Sequence, residues 1–106
     1  MDRDYAGEAR VFKAFCDETR LRILDLLRGG EKCVCALIEE TGLPQSTLSY
    51  HMKILCDAGV AAGRQEGKWT HYSVRPAGMA RAADILKGYA PANKPKRKSP
   101  DCCASA

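Results

Sequence analysis

Residues 44–59 read Pro-Gln-Ser-Thr-Leu-Ser-Tyr-His-Met-Lys-Ile-Leu-Cys-Asp-Ala-Gly, and this stretch decides the fold. Leu48, Met52 and Leu55 recur at the spacing of one helix face. Pro44 suits the first turn of such a helix, and Gly59 suits its end. The pattern therefore predicts a helix buried along one side, and the opposite side is left to residues that face outward: Gln45, Ser46, Ser49, Tyr50 and Lys53.

Three further helical patterns precede this stretch. Residues 5–16 and 21–27 carry apolar side chains at helical spacing, and Asp17 between them is placed as an N-cap. A third helix is predicted over about residues 33–41, with Gly42 as its C-cap. Two short helices joined by a tight turn that contains glycine predict a helix-turn-helix, in which the second helix enters the DNA major groove.

A β-hairpin is predicted after the helix-turn-helix. Residues 60–64 and 68–74 have the composition of strands around a turn that contains glycine, as in a wing. Its cations, Arg64 and Lys68, are positioned to reach phosphate, and Trp69 and Tyr72 are expected in the core. The broad apolar face of residues 77–89 predicts dimerisation. The expected fold class is mainly α with a β-hairpin, a homodimeric winged helix-turn-helix.

Composition limits the function classes. A chain of 106 residues, 45% hydrophobic and 28% charged, suits one soluble domain, and no apolar run is long enough for a membrane span. The first residues lack the pattern of a secretory signal, so we expect a cytoplasmic protein. Much of the net charge of +4 lies near the C-terminus. We expect a DNA-binding and dimerisation domain over residues 1–92 and a flexible, basic, cysteine-containing tail over residues 93–106.

Two of the six cysteines, Cys33 and Cys35, stand where the third helix is predicted to begin. In a reducing compartment such thiols are candidate ligands or sensors before they are candidate disulfides. If both lie in one helix, a rotation of about 200° separates their sulfurs, so sharing an ion would require the first turn to unwind. Unpaired backbone N–H groups in that turn predict a lowered pKa for both thiols.

Four blocks of sequence resemble the ArsR/SmtB family of winged-helix repressors. They are Asp-Glu-Thr-Arg-Leu-Arg-Ile-Leu at 17–24, Lys-Cys-Val-Cys-Ala-Leu at 32–37, Gln-Ser-Thr-Leu-Ser-Tyr-His-Met-Lys-Ile-Leu at 45–55 and Gly-Lys-Trp-Thr-His-Tyr at 67–72. The Cys-Val-Cys resembles the arsenic-sensing branch. The resemblance implies a homodimeric transcriptional repressor of a resistance operon, not an enzyme. Such a repressor binds double-stranded operator DNA without a cofactor and releases it when As(III) or Sb(III) binds the thiolates of Cys33 and Cys35.

The polar and basic side chains of the predicted second helix and wing suit DNA. Short polar groups and cations bind phosphates and base edges. His51 is expected to support the helix from a buried or half-buried position, and contact with DNA stays open as the alternative. The predicted DNA contacts are Gln45, Ser46, Thr47, Ser49, Tyr50, Lys53, Arg64 and Lys68.

A third ligand for a trivalent ion is an open question. The arsenic branch often has a further cysteine at the position of Ile38, so the candidates are a water, a hydroxide, a small thiol or one of four other cysteines: Cys102, Cys103, Cys56 and Cys16. Cys16 falls on the helical face of Phe12, which predicts a buried structural thiol.

Three other functions fit parts of the sequence. The same fold could sense Cd(II) or Pb(II) at a site of four sulfurs, or could respond to thiol redox state. A small thiol oxidoreductase is the alternative of another class, and it would usually need a βαβ setting, which the sequence does not show. Zinc sensing by histidines of the last helix is disfavoured because residues 77–90 contain none.

Overall fold

The computed structural model describes residues 3–91 of the chain. The predicted tail, with Cys102 and Cys103, lies outside the described residues, so the division into a domain and a tail stays a prediction. The elements follow in the order α1 (Tyr5–Ala14), α2 (Glu18–Leu27), β1 (Lys32–Cys33), α3 (Val34–Thr41), α4 (Gln45–Asp57), β2 (Ala61–Glu66), β3 (Trp69–Val74) and α5 (Pro76–Lys87).

The predicted caps and the buried stripe of the helix-turn-helix are confirmed. The Asp17 carboxylate accepts hydrogen bonds from the backbone N–H groups of Thr19 and Arg20, at 2.9 and 3.1 Å, and so begins α2. Gly42 ends α3 in the left-handed region, at φ 75°. The stripe of α4, formed by Leu48, Met52 and Leu55, lies in the core, which also contains Ile23, Leu27, Leu37 and Val60.

The wing is an antiparallel hairpin of β2 and β3, with Gly67 in its turn at φ 64°. A third, very short strand was not expected: β1 pairs antiparallel with β3, and Cys33 stands opposite His71. The prediction of a helix from residue 33 was therefore wrong by one residue. Cys33 has an extended backbone, at φ −70° and ψ 149°, because it belongs to this strand and precedes α3 as its N-cap residue.

Helix α1 also differs from its prediction, since it ends at Ala14 with Phe15 as its C-cap. Cys16 therefore leaves the helical face of Phe12 and is exposed, so the prediction of a buried Cys16 was wrong. The last helix, α5, ends two residues earlier than predicted and contacts α1. Within residues 3–91, no helix combines the length and the apolar character that crossing a membrane would require.

Candidate thiol site and nucleic-acid interface

The two thiols of the Cys-Val-Cys segment lie side by side. The Sγ of Cys35 donates a hydrogen bond to the Sγ of Cys33 over 3.0 Å. The prediction that the sulfurs point to opposite sides was wrong because Cys33 is not helical, and its extended backbone turns the side chain toward the first turn of α3. Zinc–thiolate bonds are about 2.3 Å long, so sulfurs within about 4.6 Å of each other can bind one ion of that kind. The pair therefore needs no unwinding of α3 to act as a chelate.

The two thiols differ in acidity. The pKa of Cys33 is lowered, because its sulfur accepts the hydrogen bond from Cys35 and is also stabilised by backbone N–H groups of residues 34–36 at the start of α3. The pKa of Cys35 is raised, chiefly because its proton is held in that same hydrogen bond. The prediction that both pKa values fall was therefore wrong for Cys35. Cys33 is therefore the more acidic thiol of the pair, and Cys35 is its hydrogen-bond donor.

Other candidate ligands are not gathered around the pair. Within residues 3–91 of one chain, no group of three or more His, Cys, Asp or Glu side chains is placed to hold a metal ion. Cys16 is exposed at the end of α1. Cys56 is half-buried near the end of α4, and burial raises its pKa. The described part of a single chain thus offers two sulfurs at this site.

The outward face of α4 carries the polar side chains predicted to contact DNA. Gln45, Ser46, Ser49, Tyr50 and Lys53 are exposed, and Tyr50 keeps 61% of its surface accessible. Thr47 is half-buried beside this face. The face combines hydrogen-bonding groups with a cation, which is the chemistry that suits base edges and phosphates.

His51 lies on the side of α4 that turns toward α2. Its side chain is 12% exposed, and its Nδ1 accepts a hydrogen bond from the guanidinium of Arg20 at 3.1 Å. The expected supporting role of His51 agrees with this contact. The buried arginine that holds it was not foreseen from the sequence.

The two predicted cations of the wing differ in their surroundings. Arg64 donates to both carboxylate oxygens of Glu31, at 2.7 and 3.0 Å, and to Glu66 at 3.1 Å. These ion pairs, the one with Glu31 foremost, raise the pKa of Arg64. Lys68 is exposed beside Gly67 in the turn. The structure thus provides one wing cation already paired with carboxylates and one at the tip.

Trp69 was expected in the core, and that prediction was wrong, because 50% of its surface is exposed. Successive residues of a strand face opposite sides. Since Tyr72 and Val74 pack against the core, the alternation keeps Trp69 off the core-facing side of β3. The alternation of β3 was the signal that could have identified Trp69 as a surface residue.

A cleft of about 160 Å³ joins the two thiols to the face predicted to contact DNA. Cys35 and Ile38 contribute one wall from α3, and the wing contributes the opposite wall. The cleft residues that carry polar, cationic or aromatic groups on α4 and the wing are Gln45, Ser49, Lys68, Trp69, Thr70 and Tyr72. Three of the predicted DNA contacts, Gln45, Ser49 and Lys68, therefore share this cleft with one of the two thiols.

An apolar groove of about 340 Å³ lies between α1 and α5 on another face of the molecule. Phe12 comes from α1 and Phe15 from its C-cap, and α5 contributes Met79, Ala82, Ala83 and Leu86. Leu86 keeps 64% of its surface exposed in the single chain. This groove agrees with the apolar face that the sequence placed on the last helix.

Comparison with known proteins relates this architecture to a family. A family model described as bacterial regulatory protein, arsR family, matches residues 17–62. Over 71 residues, covering 66% of this chain and 80% of the relative, the sequence is 48% identical to an uncharacterized HTH-type transcriptional regulator of Methanocaldococcus jannaschii. It is 41% identical to the arsenical resistance operon repressor of Escherichia coli K12, over 73% of this chain and 67% of that protein.

A solved structure resembles the fold as a whole. The homodimeric winged helix-turn-helix DNA-binding domain of a possible ArsR-family transcriptional regulator from Mycobacterium bovis matches with a TM-score of 0.69 and 34% identity. The match covers 83% of this chain and 84% of that domain. Its fold class is the one that the sequence pattern predicted.

Proposed function

Because this chain belongs to the ArsR family of bacterial transcriptional regulators, we propose that it represses an arsenic-resistance-type operon and leaves its operator when As(III) or Sb(III) binds Cys33 and Cys35. The observation that carries this proposal is the 3.0 Å separation of the two sulfurs, in a segment that pairs with the wing. The E. coli relative is an arsenical resistance operon repressor. We expect the protein to act in the cytoplasm, where such thiols stay reduced.

The chemistry of the pair supports a thiophilic effector. Thiolates are soft ligands that favour soft ions over hard cations such as Mg²⁺ or Ca²⁺. Cys33 has a lowered pKa, so it offers a thiolate nearer neutral pH than an ordinary cysteine does. The neighbouring Cys35 then supplies the second sulfur, and its proton leaves as the bond to the ion forms.

DNA binding is assigned to α4 and the wing of two subunits. The residues proposed to contact operator DNA are Gln45, Ser46, Thr47, Ser49, Tyr50, Lys53, Arg64 and Lys68. The proposed dimer interface is the apolar groove between α1 and α5. A second copy that covers the exposed Leu86 and the partly buried Phe12 and Phe15 removes apolar surface from water, which is favourable. The homodimeric state of the M. bovis domain supports dimerisation of this chain.

The effector is proposed to act through the wing as well as through α4. Cys33 is paired with His71 of β3, and Cys35 borders the cleft that α4 and the wing share. An ion bound by both sulfurs replaces the 3.0 Å hydrogen bond between them with two bonds to the ion. The change in their separation moves the strand that holds the wing. Because operator binding requires α4 and the wing of both subunits in register, a shift of either lowers affinity.

The experiment is a titration of a labelled duplex from the promoter upstream of this gene, followed by fluorescence anisotropy. Arsenite and antimonite should release the wild-type protein, and zinc should not. Cys33→Ser and Cys35→Ser should keep DNA binding and lose the release, whereas Cys16→Ser serves as the matched control and should respond normally. A Cys33→Ser/Cys35→Ser protein that arsenite still removes from DNA would contradict the proposal.

A thiol redox switch is a second candidate, favoured by the same closeness of Cys33 and Cys35. Disulfides between such closely spaced cysteines are strained, which weakens this candidate. The anisotropy titration separates the two. Release from DNA by diamide without arsenite, reversed by a reductant, favours the redox switch. Release by cadmium or lead, but not by arsenite, favours a sensor of divalent ions.

A further inference from the structure

We propose that the cleft beside Cys35 binds a small anionic thiol, which supplies the third sulfur to an arsenic atom held by Cys33 and Cys35. This inference rests on the proposed function. It concerns the cleft between α3, α4 and the wing, with Cys35, Gln45, Ser49, Lys68, Trp69 and Thr70 on its walls.

The need for an added ligand follows from the number of sulfurs. Trivalent arsenic forms three bonds to sulfur, and the described part of one chain presents two at this site. Ile38, the side chain of α3 that borders the cleft next to Cys35, cannot be a ligand. The third bond can therefore be directed into the cleft, where a molecule from solution has access.

The walls indicate what kind of molecule enters. Lys68 provides a cation, Gln45 an amide, and Ser49 and Thr70 provide hydroxyl groups. These groups suit a carboxylate and a peptide-like backbone. The exposed indole of Trp69 offers a flat surface for the remainder of the bound thiol molecule. The volume of about 160 Å³ is below that of a pocket for a drug-sized ligand, about 300–1,000 Å³. It suits one amino-acid-sized unit, such as the cysteinyl part of a thiol peptide.

The reaction is a ligand exchange without oxidation or reduction. Arsenite enters as As(OH)₃ and meets three thiols: Cys33, Cys35 and the small molecule. Three As–O bonds break and three As–S bonds form. Each hydroxide leaves as water with the proton of one thiol, and arsenic stays trivalent throughout.

Filling the cleft would block DNA directly. Gln45, Ser49 and Lys68 are proposed DNA contacts and also line the cleft. A carboxylate next to Lys68 neutralises the charge that a DNA phosphate would otherwise attract. The thiol adduct and the operator therefore compete for the same side chains, and this competition adds to any movement of the wing.

The test uses the full-length protein, freed of small thiols, with arsenite at a fixed concentration. Glutathione is the anionic thiol, and 2-mercaptoethanol is the neutral comparison. Native mass spectrometry should detect one arsenic and one glutathione bound per protein chain. The fluorescence of Trp69, the single tryptophan of the chain, should change as the adduct forms.

Lys68→Gln should raise the half-saturating glutathione concentration by up to about fivefold, since an exposed ion pair contributes at most about 1 kcal/mol. The response to 2-mercaptoethanol should not change in this variant. The matched control is Lys13→Gln, which removes an exposed lysine of α1 far from the cleft walls and should leave both responses as in the wild type. Phenylarsine oxide, in which carbon already occupies one bond of arsenic, should bind without help from any added thiol.

Arsenite that binds Cys33 and Cys35 equally well without an added thiol would overturn the inference and leave the proposed function standing. If glutathione and 2-mercaptoethanol have equal half-saturating concentrations, in the wild type and in Lys68→Gln, the inference is overturned and the proposed function still stands. Arsenite binding that persists in Cys33→Ser/Cys35→Ser would overturn both proposals. The Cys102→Ser/Cys103→Ser variant is measured in parallel. If one of those residues supplies the third sulfur, arsenite binding will need no glutathione in the wild type but will need it in this variant. That result also overturns the inference.

Discussion

Arg20 of α2 lies against His51 of α4, with its Nη1 donating to the histidine Nδ1 at 3.1 Å. The same guanidinium donates to the backbone carbonyl oxygens of Ala14 and Lys13, at 3.2 and 3.0 Å, where α1 ends. Arg20 is buried, at 6% exposure. One side chain thus connects the helix that borders the proposed dimer groove with the helix proposed to enter the major groove.

Arg20→Met should lower the free energy of unfolding by about 2–4 kcal/mol, because it leaves two carbonyl oxygens and a histidine nitrogen without their donor. Urea unfolding followed by circular dichroism measures this change. Arg22→Met is the matched control, since Arg22 is exposed and makes one hydrogen bond, to the Glu40 carbonyl oxygen. Equal stability of Arg20→Met and Arg22→Met would show that the buried network contributes nothing.

Lys68→Ala should reduce the salt dependence of operator binding more than Arg64→Ala does. The plot of log K for DNA binding against log salt has a negative slope, and removing one phosphate-binding cation from each subunit of a dimer reduces the magnitude of that slope by about 1–2. Arg64 is already paired with Glu31 and Glu66, so it has less charge to offer DNA. Anisotropy titrations at several salt concentrations measure both slopes, and a slope unchanged in Lys68→Ala would remove that lysine from the interface.

Helix-level features of the fold were predictable because they follow from local chemistry. The stripe of Leu48, Met52 and Leu55 defines the buried side of α4, and the caps Asp17 and Gly42 lie at element boundaries for reasons of hydrogen bonding and backbone angle. The stripe and both caps are set by residues close in sequence, without a contact to a distant part of the chain. The exposed polar side of α4 followed from the same periodicity.

The thiol geometry was not predictable because it depends on a partner almost 40 residues away. Cys33 leaves the helix because β1 pairs with β3, and a strand of two residues has no periodicity to detect. The adjacency of the two sulfurs follows from that pairing. Cys16 was misjudged for a local reason, since α1 ends two residues before it and removes it from the helical face.

Leu86→Lys should weaken the dimer and, with it, operator affinity. The leucine is exposed in the single chain and borders the groove between α1 and α5, so a charge there would be costly to bury against a second copy. Sedimentation velocity measures the dimer fraction. Leu21→Lys, at an exposed leucine of α2 outside the groove, is the control, and equal dissociation of the two variants would place the interface elsewhere.

Gly78→Ala should destabilise the fold, because a Cβ at this position of α5 would overlap the Gly59 carbonyl oxygen. The helix must then move away from the turn after α4, at a cost of about 1–3 kcal/mol. Gly29→Ala is the matched control, since a Cβ there meets nothing within 4 Å. Thermal unfolding compares the two variants, and equal melting temperatures would contradict the close contact of α5 with this turn.

Cys33 should be alkylated by iodoacetamide at lower pH than Cys35, because the thiolate is the reacting form and the pKa is lowered at Cys33 and raised at Cys35. Peptide mass spectrometry after short pulses across a pH series separates the two sites. In Cys35→Ala, Cys33 loses the hydrogen bond that contributes most to its lowered pKa, so its alkylation should move to higher pH. The exposed thiol of Cys16 provides the internal reference, and a Cys33 profile that stays in place in Cys35→Ala would mean that the backbone N–H groups of α3 alone stabilise the thiolate.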